Sequence, residues 1–146
     1  MADKNTQVPV YLFKEGSNYQ SYKFFCPKKE KIKGKEGWTF TVWAPHAKSV
    51  SVVGNFNDWD RTVNPMTAIA KGIWQTFIEG LKTYEIYKFS IETPSGEIRL
   101  KADPFATHAE TAPATASKLY DSTYKWGDKK WMKNRETYNP YDSPMN

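Results

Sequence analysis

Much of the usual equipment of enzymes and secreted domains is missing from this chain of 146 residues. Cys26 is its only cysteine, so no disulfide closes within it. That usage points to a reducing, cytoplasmic setting. The two histidines, His46 and His108, lie far apart with no cysteine cluster beside either. Zinc-ligand spacing is therefore absent, and neither a metal nor an organic cofactor is expected. No apolar run approaches the roughly 20 residues of a membrane span. The polar start, MADKNTQVPV, has no secretory h-region, so no membrane partner is expected. G-x-S-x-G, Walker and G-x-G-x-x-G motifs are all missing. Asp58 and Asp60 sit two apart on one loop, which is turn chemistry rather than two carboxylates facing a glycosidic bond. No catalytic residue emerges from the residues themselves.

Aromatic residues and positive charge are plentiful. Aromatics make up 16% of the chain, with 6 Trp and 9 Tyr, and the net charge is +5. Nucleic-acid binding would need exposed aromatics interleaved with the lysines. The lysines instead concentrate at 28–35, in CPKKEKIKGKEG, which reads as a solvated loop or edge hairpin. No nucleic-acid partner is expected.

Period-2 patterning dominates the interior. WTFTVW at 38–43 places Trp38, Phe40 and Val42 on one face and Thr39, Thr41 and Trp43 on the other. SVSVV at 49–53, IWQTFI at 73–78 and YEIYKFSIE at 84–92 also read as strands. The last of these sets Tyr84, Ile86, Lys88 and Ser90 against Tyr87, Phe89 and Ile91. TPSGE at 93–97 is a hairpin turn with Gly96 free to take a positive φ. IRLK at 98–101 is the returning strand and ASKLY at 116–120 a closing one. Few segments read as helical, and KKWMKNRE at 129–136 is the best of them. Short strands between Gly, Pro, Asn and Asp clusters predict an all-β, antiparallel β-sandwich. Its expected core is Phe40, Val42, Val50, Val52, Phe77, Tyr87, Phe89 and Ile91. Residues 1–9 read as a flexible segment, 10–125 as the sandwich, and 126–146 as a linker, NPYDSPMN at 139–146 suggesting a cut from something longer.

One loop resists a purely structural reading. GNFNDW at 54–59 is hydrated turn sequence, yet it ends on Trp59. The indole is a lid over the sandwich edge, a contact with another domain, or a platform for a ligand. A pyranose suits the third role, because one sugar face presents weakly positive C–H bonds to the negative face of an indole. Sugar hydroxyls then need donors and acceptors, which Asn55, Asn57, Asp58 and Lys88 supply.

GNFNDW, followed by YKF and KADP, closely resembles a family-48 carbohydrate-binding module, an immunoglobulin-like sandwich found on α-glucan-active proteins. The flanking VYLFKEGSNYQSYKFF at 10–25 and NPYDSPM at 139–145 resemble the amino-terminal part of bacterial 1,4-α-glucan (glycogen) branching enzymes. The resemblance implies a non-catalytic α-glucan-binding module. Its partners would be glycogen or maltooligosaccharide and a catalytic barrel in the same protein, which transfers α-1,4 chains to α-1,6 branch points. It also implies that Trp59 stacks on glucose, that Lys88 bonds sugar hydroxyls, and that Thr115 or Ser117 adds a small polar contact. A second stacking tryptophan of some relatives is replaced here by Ile98 or Arg99. That departure leaves open a rival role as an interdomain scaffold that touches no sugar.

Overall fold

The computed structural model describes residues 4–135 and Thr137. Two helices, α1 (Lys4–Lys14) and α2 (Tyr22–Phe25), precede nine strands. These are β1 (Lys28–Ile32), β2 (Lys35–Trp43), β3 (Ser49–Gly54), β4 (Thr67–Ala70), β5 (Ile73–Glu79), β6 (Ile86–Glu92), β7 (Ile98–Lys101), β8 (His108–Ala109) and β9 (Ser117–Lys118). A helix, α3 (Lys129–Arg135), follows. One sheet runs β1-β2-β5-β4; the other runs β3-β6-β9-β8, with β7 also pairing β6. All pairings are antiparallel. The expected all-β antiparallel sandwich is therefore the observed one.

The two sheets bury their facing sides against each other. Trp38, Phe40 and Val42 from β2 meet Val50 and Val52 from β3 and Tyr87 and Phe89 from β6, closed by Met66, Ile78 and Leu119. Phe40 and Tyr87 meet edge to face at 5.0 Å. The phase of β5 differs from the sequence expectation. Trp38, Phe40 and Val42 point inward, so their partners Ile78, Thr76 and Trp74 share that face. Ile78 is thus in the core, and Phe77 lies on the outside against Thr39. Ile91 is only partly buried, packed at the core margin.

Residues 4–9, part of the segment expected to be flexible, lie in α1. Pro9 lies inside this helix, where it removes one backbone donor; tertiary packing compensates. Val10 and Phe13 join Phe24, Phe25 and Ile73 in a second apolar cluster on the outer side of the first sheet. Phe25 is fully buried, stacked on Phe105 at 5.0 Å and edge-on to Phe13 at 4.6 Å. The proline-containing stretch at 139–146 lies outside the described residues.

The lysine run forms the β1–β2 edge hairpin, every residue of β1 exposed. Charged edge strands discourage pairing with other chains. The hairpin turn at 93–97 takes the expected form, with Gly96 at φ 84° and the Thr93 N–H donating to the Glu97 carbonyl at 2.9 Å.

Candidate functional site

The loop after β3 is built around Gly54 and Asn57. A Cβ on Gly54 would lie 2.2 Å from the Ile86 carbonyl oxygen, so the loop leaves β3 through a space that only glycine fits. A 3-10 turn over Asn55–Asn57 follows. The Asn57 Oδ1 accepts from the Gly54 N–H at 2.9 Å, and its Nδ2 donates to the Val52 carbonyl at 2.9 Å and to Asn64 Oδ1 at 2.7 Å. Asn57 is buried with these bonds made inside the protein. It shapes the loop rather than offering its amide to a ligand.

Asp58 and Trp59 then take left-handed backbone conformations, at φ 52° and 61°. Such values are uncommon outside glycine and mark strain in a bulky residue. The Trp59 N–H donates back to the Gly54 carbonyl at 3.0 Å. Its Nε1 donates to Asn55 Oδ1 at 3.0 Å, which fixes the ring's orientation. The indole remains 38% exposed. Asp60 folds onto the chain: its Oδ1 accepts from the Thr62 N–H and hydroxyl, both at 2.8 Å, which holds its carboxyl below the usual carboxylate range. This is the turn role expected of it.

Lys88 and Ser117, two residues of one candidate group, sit on opposite faces of the second sheet. Tyr87 points into the core, so Lys88 points outward. The Lys88 Nζ donates to Thr115 Oγ1 at 2.7 Å. Ser117 pairs with Tyr87 and turns inward, 2% exposed, its Oγ accepting from the Asp103 N–H at 2.9 Å. Thr115, not Ser117, is the small polar residue beside Lys88. Ile98 pairs with Glu92 and Leu100 with Ser90, so both lie on the outward face with Lys88. Arg99 lies opposite Ile91 on the other face, its guanidinium held by Glu97 at 2.8 and 3.0 Å.

The aspartate of LKADP is interior rather than displayed. Asp103 Oδ2 accepts from the Tyr87 hydroxyl at 2.7 Å and its Oδ1 from the Phe105 N–H at 2.8 Å. Burial pushes its carboxyl up to about 6 against the lowering effect of these two bonds. The same burial, with Asp103 nearby, pushes the Cys26 thiol up, more than Lys28 lowers it. A raised thiol is a poor nucleophile. Among the described residues, no three His, Cys, Asp or Glu side chains gather into a group that could hold a metal ion. No helix among them is long and apolar enough to cross a membrane.

Asn55's hold on the indole and the clamp from Asn57 to Asn64 carried no separate sequence signal, because both depend on the loop's closed shape. An antiparallel sandwich of these two sheets is an immunoglobulin-like module. The model of the family "Carbohydrate-binding module 48 (Isoamylase N-terminal domain)" matches residues 16–106, and the chain belongs to that family.

The relatives are long proteins. The chain is 46% identical over 142 residues to the 1,4-alpha-glucan branching enzyme GlgB of Bacillus subtilis (strain 168), covering 96% of this chain and 23% of that protein. It is 46% identical over 148 residues to the enzyme of the same name from Halothermothrix orenii, covering 99% of this chain and 24% of that one. The chain thus spans about a quarter of the length of the curated relatives it matches. Among solved structures, it resembles a pullulanase from Bacillus acidopullulyticus with a TM-score of 0.53 at 22% identity, over 66% of this chain and 12% of that one. A pullulanase from Anoxybacillus sp. LM18-11 gives a TM-score of 0.54 at 20% identity, over 70% and 15%. At these identities the likeness concerns the fold.

Proposed function

We propose that this chain is the amino-terminal, non-catalytic α-glucan-binding module of a 1,4-α-glucan branching enzyme. In this reading it holds glycogen or maltooligosaccharide and orients it for a catalytic barrel in the same protein. The observation that carries the proposal is the displayed indole of Trp59. It is held by Asn55 on a loop clamped by Asn57, at the end of the sheet face bearing the Lys88–Thr115 pair. Trp59 offers an apolar plane to a pyranose C–H face, and Lys88 and Thr115 supply a donor and a hydroxyl for the sugar rim. Family membership and the similarity to GlgB proteins support the sugar class and the parent enzyme.

Calorimetric titration of the chain with maltoheptaose tests it. The expected affinity is near millimolar, a binding free energy of about −4 kcal/mol. It should respond little to salt, since no counterion release accompanies a neutral ligand. An unchanged affinity in Trp59→Ala would remove the site assignment.

A scaffold that touches no sugar is the second reading. Of the two residues at the position where the resemblance implies a second stacking tryptophan, Ile98 is 45% exposed on the Lys88 face with Leu100 at 51% beside it, and Arg99 lies on the other face, so no aromatic ring stands there. Absence of any heat or shift in tryptophan emission at saturating glycogen would favour it.

A further inference from the structure

We infer that a cluster of Tyr84, His108 and Tyr120 forms a second carbohydrate platform on the same sheet face as Lys88; this rests on the glucan-binding reading above. The three rings form a closed group, with Tyr84 5.6 Å from His108 and 5.8 Å from Tyr120, and His108 5.6 Å from Tyr120. Register places them. Ile86 pairs with Lys118, and Lys118 with His108. Ile86 is two residues from Lys88, so Ile86, Lys118 and His108 all face outward.

Direction places them at the correct end. In the antiparallel β3–β6 pair, Gly54 lies opposite Tyr87. The loop that leaves β3 toward Trp59 therefore emerges beside the start of β6, where Tyr84 lies. Trp59 lies on the β3 side and the three-ring cluster toward β9 and β8, with Lys88 and Lys118 on the strands between them. The outermost strands are three interstrand steps apart, about 14 Å, which suits an oligosaccharide rather than one hexose.

Backbone strain gives the second, independent observation. Four non-glycine residues among those described have positive φ: Lys33, Asp58, Trp59 and Tyr84. Two of these are exposed aromatics at this end of this face. Tyr84 has φ 71° and is 58% exposed, so core burial does not account for its strained placement. Its N–H donates to the Leu119 carbonyl at 2.7 Å, and the Leu119 N–H donates to the Glu85 carbonyl at 2.9 Å. The backbone thus ties Tyr84 to β9's end and holds its ring against His108 and Tyr120. A ring kept at that cost on a wet surface is built to be met by something flat. The polar rim nearby, Lys88, Thr115 and Lys118, matches sugar hydroxyls.

NMR titrations of the chain with maltose and with maltoheptaose test the inference. The variants are Tyr84→Asn, which tolerates the left-handed backbone, His108→Ala, Tyr120→Leu and Trp59→Ala; thermal melts select those that remain folded. Tyr84→Asn or His108→Ala should weaken maltoheptaose binding roughly five- to twentyfold, as for loss of a stacking ring, while leaving maltose binding at the Trp59 end unchanged. Unchanged maltoheptaose affinity in all folded cluster variants, with Trp59→Ala still weakening it, overturns the second platform and leaves the glucan-binding reading standing. Equal weakening of both sugars also overturns it, since the cluster would then not be a separate subsite. Failure of the unsubstituted chain to bind either sugar defeats the underlying reading as well.

Discussion

The two outer faces of this sandwich are finished in opposite ways. On the first sheet, α1 and α2 seal part of the outer face, with Phe13, Phe24 and Phe25 packed in one cluster with Ile73. Beside them lies a cleft of about 560 Å³, in which Gln75 Nε2 donates to Thr41 Oγ1 at 3.0 Å and the Thr39 hydroxyl donates to Glu30. On the second sheet, no helix among the described residues packs on the outward face, although Ser51, Val53 and Ser90 at its centre are buried. Ile98 and Leu100 are exposed and Lys88 half-buried, and Trp59 and Tyr84 flank one end in strained conformations. One face spends its aromatics on packing. The other leaves them displayed, and polar bonds hold them in position. Stability should therefore reside mainly on the first face and binding on the second.

Phe25→Ala probes the first half of that division and carries the largest expected effect. It removes a fully buried ring from the cluster of Phe13, Phe24 and Phe105. The expected loss is about 3–5 kcal/mol, read from urea or thermal unfolding. A loss under about 1 kcal/mol would mean that the helices are dispensable to the sandwich.

Asn57→Ala is next, and it should affect both properties. The truncation leaves the Gly54 N–H and the Val52 carbonyl without partners inside the protein. The expected cost is about 1–3 kcal/mol of stability, together with weaker maltoheptaose binding because Trp59 is no longer presented. Loss of stability with unchanged sugar affinity would separate the loop's shape from its function.

Trp59→Ala should separate the two properties in the other direction. The ring is partly exposed and belongs to neither apolar cluster. Stability should change by less than about 1 kcal/mol, while glucan affinity falls by about 1–3 kcal/mol, by analogy with stacking platforms for bases. A large drop in melting temperature would make the indole a lid.

The difference between the faces also explains what the sequence disclosed. Trp59 stood out because a large apolar residue among Gly, Asn and Asp has no strand pattern to bury it, but lid, domain contact and platform stayed open until the loop was seen to leave its ring 38% exposed. The outward set of Tyr84, Ile86 and Lys88 was legible from alternation in YEIYKFSIE. Three features were not. IWQTFI carries apolar residues at both phases, so only pairing with Trp38 decides that Ile78 goes in and Phe77 out. Strand β9 has two residues, too few to phase, and Ser117 turned inward where Thr115 stayed out. Pro9 disguised α1, whose existence depends on the apolar cluster that Val10 and Phe13 join. In each case a long-range partner overrode local pattern.

The smallest expected effect comes from acid, and it distinguishes apolar from polar construction. Glu92, at the far end of the open face, accepts from Lys48 Nζ at 2.8 Å, Ser49 Oγ at 2.7 Å and Arg61 Nη2 at 3.2 Å. Arg61 belongs to the segment just past Trp59, so this cluster pins the returning loop to β3 and β6. The bonds from Lys48 and Ser49, and then from Arg61, hold the Glu92 carboxyl down at about 2. In the unfolded chain a glutamate titrates near roughly 4.3. The folded form thus gains from the ionised carboxylate above that value, and the gain is lost as pH falls from about 4.3 toward 2. Glu92→Gln should flatten that acid limb in unfolding experiments, and Phe25→Leu should lower stability at every pH without changing its slope. If Glu92→Gln leaves the slope between pH 4.5 and 2.5 unchanged, then ionic bonds do not secure the open face, and the loop bearing Trp59 is held by neutral bonds such as those of Asn57 and the Gly54 carbonyl.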